Sequence, residues 1–283
     1  MKRFLSPLVF SVFLFPGCDK VEAPLQNYVA PEIPRRKVLL EDYTGHTCGN
    51  CPGAAEVALN LEHKYDGELV VMAVHAGHFA DIKKPKYLVS YKTPEGNEWN
   101  TYFKIPGYPN GIINRKSYGG GLVTAYTNWS SAVDVAFKDP YILDLDIFPS
   151  YSEAGRLLDV SVKAKFHLAH SRNLKLSVML TEDSIIGRQL DYRMDTVNDA
   201  QNRKNYVFMH MLRTSVNGTW GTALTEAAVS ANDSLTVSFT DFAVDTAYKA
   251  KHLSVVAFAF DAETREVIEV EKVKMIPKDD SDF

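Results

Sequence analysis

Cysteine is scarce in this chain: Cys18, Cys48 and Cys51 are the only three among 283 residues. That is too few for a disulfide-built scaffold, and an odd count leaves one thiol to be explained. A dominant charge sign is also missing. Lys and Arg number 31 against 35 Asp and Glu, a formal net charge of −4 with no basic stripe. The electrostatic footprint of nucleic-acid binding is therefore absent. No apolar run reaches the roughly 20 residues that a membrane-spanning helix needs. No internal repeat is visible, and 46% hydrophobic with 23% charged residues excludes a disordered tail or a collagen-like chain. The length suits two domains of ordinary size.

What is present starts with Met1-Lys2-Arg3 and an apolar run from Phe4 to Phe15, the basic and apolar regions of a secretory signal. The run ends Phe15-Pro16-Gly17-Cys18. This resembles a bacterial lipobox, with Phe15 where leucine is usual. The resemblance implies a lipoprotein signal peptide over 1–17 and lipid attachment at Cys18; the alternative is an ordinary cleaved signal with an incidental cysteine. Residues 18–36, with Pro24, Pro31 and Pro34 and no period, read as a tether. The chain would then be anchored to a membrane without crossing it.

From Lys37 the pattern sharpens. Val38–Thr44 reads as a buried strand, Gly45-His46-Thr47 as a turn, and Cys48-Gly49-Asn50-Cys51-Pro52 as the start of a helix that Gly67 ends. Leu69–His75 reads as a second buried strand. A CxxC at the head of a helix in a βαβ unit has a physical use. The helix N-terminus favours a thiolate, and the thiolate is the nucleophile of disulfide exchange. Cys48, nearer the turn, would attack and Cys51 would resolve. Haem attachment would want histidine where Pro52 stands. Zinc would need a second ligand pair beyond His46, His75 and His78, so no metal or other cofactor is expected. A purely structural Cys48–Cys51 disulfide remains open, because the expected compartment is oxidising.

The order of motifs resembles that of thioredoxin-like proteins. By that resemblance Pro109, in Ile105-Pro106-Gly107-Tyr108-Pro109, is a cis-proline opposite the dithiol, and Tyr108 pairs its backbone with an extended substrate. Asp42 matches the buried carboxylate that relays a proton to the resolving thiol; an exposed strand-end acid is the plainer alternative. Glu41, its neighbour, points to the opposite face. A wider resemblance covers VLLEDYTGHTCGNCP, VHAGHF, EGNEW, GYPNGIINR, YVFMHMLR and VVAFAFDAETREVIEVEKV. These strings are similar to a Bacteroidetes lipoprotein family named after an outer membrane protein of twenty-eight kilodaltons. The resemblance implies an outer-membrane location, on the periplasmic or cell-surface face, and a thioredoxin-like domain joined to a β-rich one. Thr47 departs from the aromatic often found before the first cysteine of thioredoxin-like proteins, so shielding of Cys48 must come from elsewhere.

The expected fold is α/β plus all-β. A thioredoxin-like domain over 37–139 holds an insert at 77–106 and closes with a helix over Leu122–Phe137. An antiparallel β-sandwich, Ig-like or jelly-roll-like, follows over 140–283. The insert's Phe79, Tyr87, Tyr91, Trp99, Tyr102 and Phe103 either anchor it to the core or line a groove by the dithiol. The second half alternates apolar and polar residues with period two, interrupted by an elaborated connection over 182–222 without an assignable role. His210, on an apolar strand, reads as a satisfied core histidine. Asp-Ser/Thr-apolar triplets at 183–185, 195–197, 233–235 and 245–247 resemble a short O-glycosylation pattern of Bacteroidetes secreted proteins. Two functions are expected to compete. One is a membrane-anchored thiol–disulfide exchange protein acting on protein or peptide disulfides. The other is a non-catalytic surface lipoprotein that binds a partner, with Cys48–Cys51 as a staple.

Overall fold

The seven residues Val38–Thr44 are all buried, and only a strand covered on both faces accommodates such a run. This strand, β1, leads through helix α1 (Cys51–Lys64) to strand β2 (Leu69–His75). β1 and β2 pair in parallel, with Val38 opposite Leu69. A computed structural model describes residues 36–277. Cys18, the signal segment 1–17 and the tether to residue 35 lie outside the described residues. α1 begins at Cys51 with Asn50 at its N-cap, so Cys48 sits in the preceding turn. Pro52 occupies the first helical turn, where its missing N–H loses no hydrogen bond.

Helix α2 (Pro94–Tyr102), strand β3 (Asn110–Ile113) and helix α3 (Trp129–Ala136) complete the first half. β3 runs antiparallel to β1, with Leu40 opposite Ile113. α3 is shorter than the helix expected over Leu122–Phe137. Gly119, Gly120 and Gly121 hold φ of 95°, 120° and 134°, left-handed backbone that glycine alone adopts freely. Beyond them Thr124 exchanges two backbone hydrogen bonds with Gly111, which draws the chain alongside β3 instead of into a helix. The aromatic insert is anchored: Trp99 is fully buried, and Tyr87, Tyr91 and Phe103 are each 8% exposed.

Ten strands follow: β4 (Leu143–Ser152), β5 (Leu157–Phe166), β6 (Leu174–Glu182), β7 (Ile185–Leu190), β8 (Asn202–Phe208), β9 (Met211–Ser215), β10 (Thr222–Ala223), β11 (Ser234–Ala243), β12 (Leu253–Asp261) and β13 (Val267–Lys274). The molecule is mostly β. One mixed sheet has the order β13-β12-β6-β9-β2-β1-β3, with β10 added to β6; β11-β5-β4 and β7-β8 form two antiparallel sheets. The halves join where Ala73 pairs with Met211 and the Ala73 N–H donates to the His210 carbonyl at 2.8 Å. Strands from both sides of the expected 139/140 boundary thus share one sheet, and the described residues fall in one compact unit.

Period-two alternation explains how one strand serves two cores. On β12, Val255, Ala257 and Ala259 enter the core shared with β4 and β5. Val256, Phe258 and Phe260 enter a second core with Leu39, Tyr43, Val70, Trp99 and Ile112. A third core packs α1 and α3 against the other face of β1 and β2. Inside the second core lies an ion pair. Both Glu41 and Arg115 side chains have no exposure. Arg115 Nε and Nη2 donate to the two Glu41 oxygens at 3.0 and 2.7 Å. The guanidinium lies within 6 Å of the rings of Trp99, Phe103, Trp220, Phe258 and Phe260, so cation–π attraction adds to the fork-shaped hydrogen bonds.

Candidate functional site

The turn after β1 holds the dithiol. The Cys48 N–H donates to the Gly45 carbonyl at 3.0 Å, and the Thr47 N–H to the Phe79 carbonyl at 3.0 Å. Gly45 is required here, since a Cβ would fall 2.6 Å from Phe79 backbone atoms. Cys48 and Cys51 are joined in a disulfide. Both are buried, at 3% and 2% exposure.

The cover comes from the connection whose role the sequence left open. β7 and β8 form a hairpin, Ile185 opposite Phe208, that lies over the CxxC turn. The Gln189 side-chain amide donates to the Cys48 carbonyl at 2.9 Å, across 141 residues of sequence. The N–H groups of Leu190 and Tyr192 donate to the His46 and Gly49 carbonyls, each at 2.9 Å. The Tyr192 ring rests where any Cβ on residue 49 would lie, 2.5 Å away. The shielding that Thr47 does not provide is thus supplied from the second half of the chain.

His210 stands at the base of this hairpin. It is not part of an apolar strand as expected: the chain breaks between β8 and β9, and His210 holds φ 55°. Its ring nitrogens meet Asp183 at 3.3 Å and Glu62 of α1 at 3.1 Å. Lys272 Nζ lies 3.1 Å from Nδ1. Burial lowers the His210 pKa, but the bonds to Asp183 and Glu62 outweigh it and the net shift is upward.

Beside the covered disulfide lies a cavity of about 240 Å³. Asp42, Val71, Ala73 and His75 of β1 and β2 line it together with α1 residues Cys51, Pro52, Ala55 and Leu59 and hairpin residues Tyr206 and Val207. Asp42 is 2% exposed and its Oδ1 has no hydrogen-bond partner. Burial drives the Asp42 pKa up to about 7, against a downward pull from the His210 charge. The carboxyl group is therefore poised between acid and carboxylate near neutrality. His75, whose pKa burial and the neighbouring His46 lower to about 3, stays neutral. His46, lowered by burial to about 4, does the same. The two rings pack among Tyr87, Tyr91 and Phe208, an aromatic wall that disfavours an imidazolium.

Asp42 and Cys51 thus meet in one cavity. The Tyr108–Pro109 peptide is cis. Tyr108 packs on Phe79 at 5.5 Å between centroids and donates its hydroxyl to Asn100 at 2.6 Å. Tyr108 connects to the dithiol turn through Phe79, whose carbonyl holds Thr47. Among the described residues no group of three or more His, Cys, Asp or Glu is arranged to hold a metal ion. Gln189, Leu190 and Tyr192 escaped the sequence reading because their contacts are long-range. The clue was negative: a long stretch in an alternating β region that did not alternate.

Fold and site together define a mostly β protein with a dithiol-bearing βαβ unit set into its main sheet. A family model described as Outer membrane protein Omp28 matches residues 96–279, more than half of the chain. The chain belongs to the outer membrane protein Omp28 family. Among solved structures it is similar to HBP35 of Porphyromonas gingivalis, with a TM-score of 0.63 and 18% identity over 85% of this chain and 76% of that one. A protein of Agrobacterium tumefaciens matches with a TM-score of 0.54 and 14% identity, over 87% of this chain and 98% of that one. At these identities the likeness is one of fold. A domain of the outer membrane lipoprotein Omp28 from Porphyromonas gingivalis also matches, at 20% identity over 50% of this chain and 93% of that one, with a TM-score of 0.31. No functionally curated protein matches. No helix among the described residues is long and apolar enough to cross a membrane.

Proposed function

We propose that this Omp28-family protein is a thiol–disulfide exchange protein, held at the outer membrane by lipid on Cys18 and acting on polypeptide disulfides. In this reading β1-α1-β2-β3 is a thioredoxin-like core, and the sheets meeting around Leu158, Val160 and Val255 are a β-sandwich that presents a partner. The single observation that carries the reading is the shared cavity of Asp42 and Cys51. A buried carboxyl group lining the same cavity as the resolving cysteine supports Asp42 as the group that takes and returns the Cys51 proton. Cys48, in the turn leading into α1, attacks the client disulfide as a thiolate. Cys51 then displaces the reduced client, leaving Cys48–Cys51 oxidised. The Tyr108-Pro109 backbone aligns the client strand. The hairpin must lift from Gly49 for a polypeptide to reach Cys48.

The test is turnover of insulin disulfides by the full-length protein with a thiol reductant. Reduction above the reductant alone is expected, lost in Cys48→Ser and slowed at least about tenfold in Asp42→Asn. Turnover no faster than the reductant alone overturns the reading. A second reading is favoured by the 3% exposure of Cys48: a binding lipoprotein in which the disulfide only braces the turn under the hairpin.

A further inference from the structure

The two sulfurs of the disulfide have unlike surroundings. Cys48 lies beneath the hairpin, its carbonyl held by Gln189 and the next residue capped by the Tyr192 ring. Cys51 lines the cavity. That cavity is walled by Pro52, Ala55, Leu59, Val71 and Val207 together with the charged Glu56, Arg193 and Arg203, and it holds the unpartnered Asp42 Oδ1. At about 240 Å³ it lies just below the usual range of ligand pockets, with room for a small thiol and too little for an extended polypeptide strand of several residues.

Building on the exchange reading above, we infer that the cavity is the entry port for a low-molecular-weight thiol, which recharges the closed, oxidised protein by attacking Cys51 rather than Cys48. The thiolate of the small molecule bonds to Cys51 Sγ. The Cys48–Cys51 bond breaks and its electron pair leaves on Cys48 Sγ. That leaving group sits just before the N-terminus of α1, where partial positive charge stabilises a thiolate, and a better leaving thiolate speeds exchange. A second small thiolate then attacks the sulfur of the bound thiol. It departs as the symmetric disulfide, with the electron pair returned to Cys51, and Asp42 supplies the proton that Cys51 takes up. Two small thiols are oxidised for one protein disulfide reduced. The hairpin stays shut throughout, so recharging enters at Cys51 while client exchange needs Cys48 uncovered.

The experiment uses the oxidised full-length protein with 2-mercaptoethanol, quenched in acidic N-ethylmaleimide within the first turnover. Tandem mass spectrometry then locates the adduct. The expected product carries mercaptoethanol on Cys51 and maleimide on Cys48, in about tenfold excess over the reverse. Val207→Trp, at a half-exposed position on the cavity rim, should slow mercaptoethanol reduction about tenfold by filling the port. Tyr192→Ala should leave that rate unchanged and speed reduction by the protein thiol of reduced thioredoxin. Adduct on Cys48, an even mixture, or indifference to Val207→Trp overturns the port while leaving exchange intact. Resistance of the folded protein to both thiols overturns the exchange reading itself.

Discussion

Glu41 and Asp42 are neighbours on β1, equally buried, and they solve the problem of a buried carboxylate in opposite ways. Glu41 faces the aromatic core and is held by both forks of Arg115 under five rings. Asp42 faces α1 and has an oxygen with no partner. A carboxylate whose two oxygens are both held by a guanidinium is fixed in place. A carboxyl group left unmatched is costly to ionise and can exchange its proton near neutral pH. One strand therefore carries a fully paired acid on one face and an incompletely paired acid on the other, and the latter lines the cavity that Cys51 also lines.

The sharpest way to break this contrast is to remove the matched charge. Glu41→Gln strands the Arg115 guanidinium in an apolar core and should cost about 3–5 kcal/mol, read from urea unfolding midpoints. A loss below about 1 kcal/mol would show that the pair does not brace this core. Asp42→Asn should act in the opposite direction. The folded-state pKa of Asp42 lies near 7, above its ordinary value of 3.8. The native state therefore binds more protons than the unfolded state between these limits, and wild-type stability falls as pH rises from about 4 to 7. The asparagine variant should lose this dependence and gain stability, on the order of 4 kcal/mol at pH 8 and nothing below pH 4. A variant less stable than wild type at pH 8 would refute the assignment.

Smaller effects should follow at the cover. Gln189→Ala removes one buried hydrogen bond to the Cys48 carbonyl, costing about 1 kcal/mol. It should raise the rate at which the reduced protein's Cys48 is alkylated by iodoacetamide. Unchanged alkylation would mean that Gln189 does not hold the cover. Glu56→Ala should matter least. It breaks only the ion pair with Arg193, 47% and 64% exposed on its two sides, so stability should stay within about 0.5 kcal/mol of wild type. A larger loss would make this rim contact part of the clasp.

How much of this was legible in the sequence depends on the range of the interaction. β1 and β2 appear at the predicted residues, because unbroken runs such as Leu69–His75 leave little choice beyond a buried strand. The opposite orientation of Glu41 and Asp42 follows from the two-residue period of a strand. Alternation also located β5 and β12, although it was silent on β12 feeding two cores. The closing helix is shorter than expected, because the apolar residues Leu122 and Val123 mimic a helical turn while the next residue, Thr124, pairs with Gly111 of β3. Arg115 gave no local sign of its partner on β1. The hairpin over Cys48 was invisible for the same reason: three hydrogen bonds tie together segments more than a hundred residues apart, and no period within either segment encodes them.

The central claim is that Cys48–Cys51 is a working disulfide. Its most direct test is equilibration of the native full-length protein in glutathione redox buffers, with the two cysteines alkylated and counted by mass. A working pair should titrate reversibly with a midpoint between about −270 and −120 mV, the span of exchange proteins, and in Asp42→Asn it should approach equilibrium more slowly. A disulfide that stays oxidised in the folded protein down to about −300 mV would have the poise of a structural bridge, and would contradict the claim.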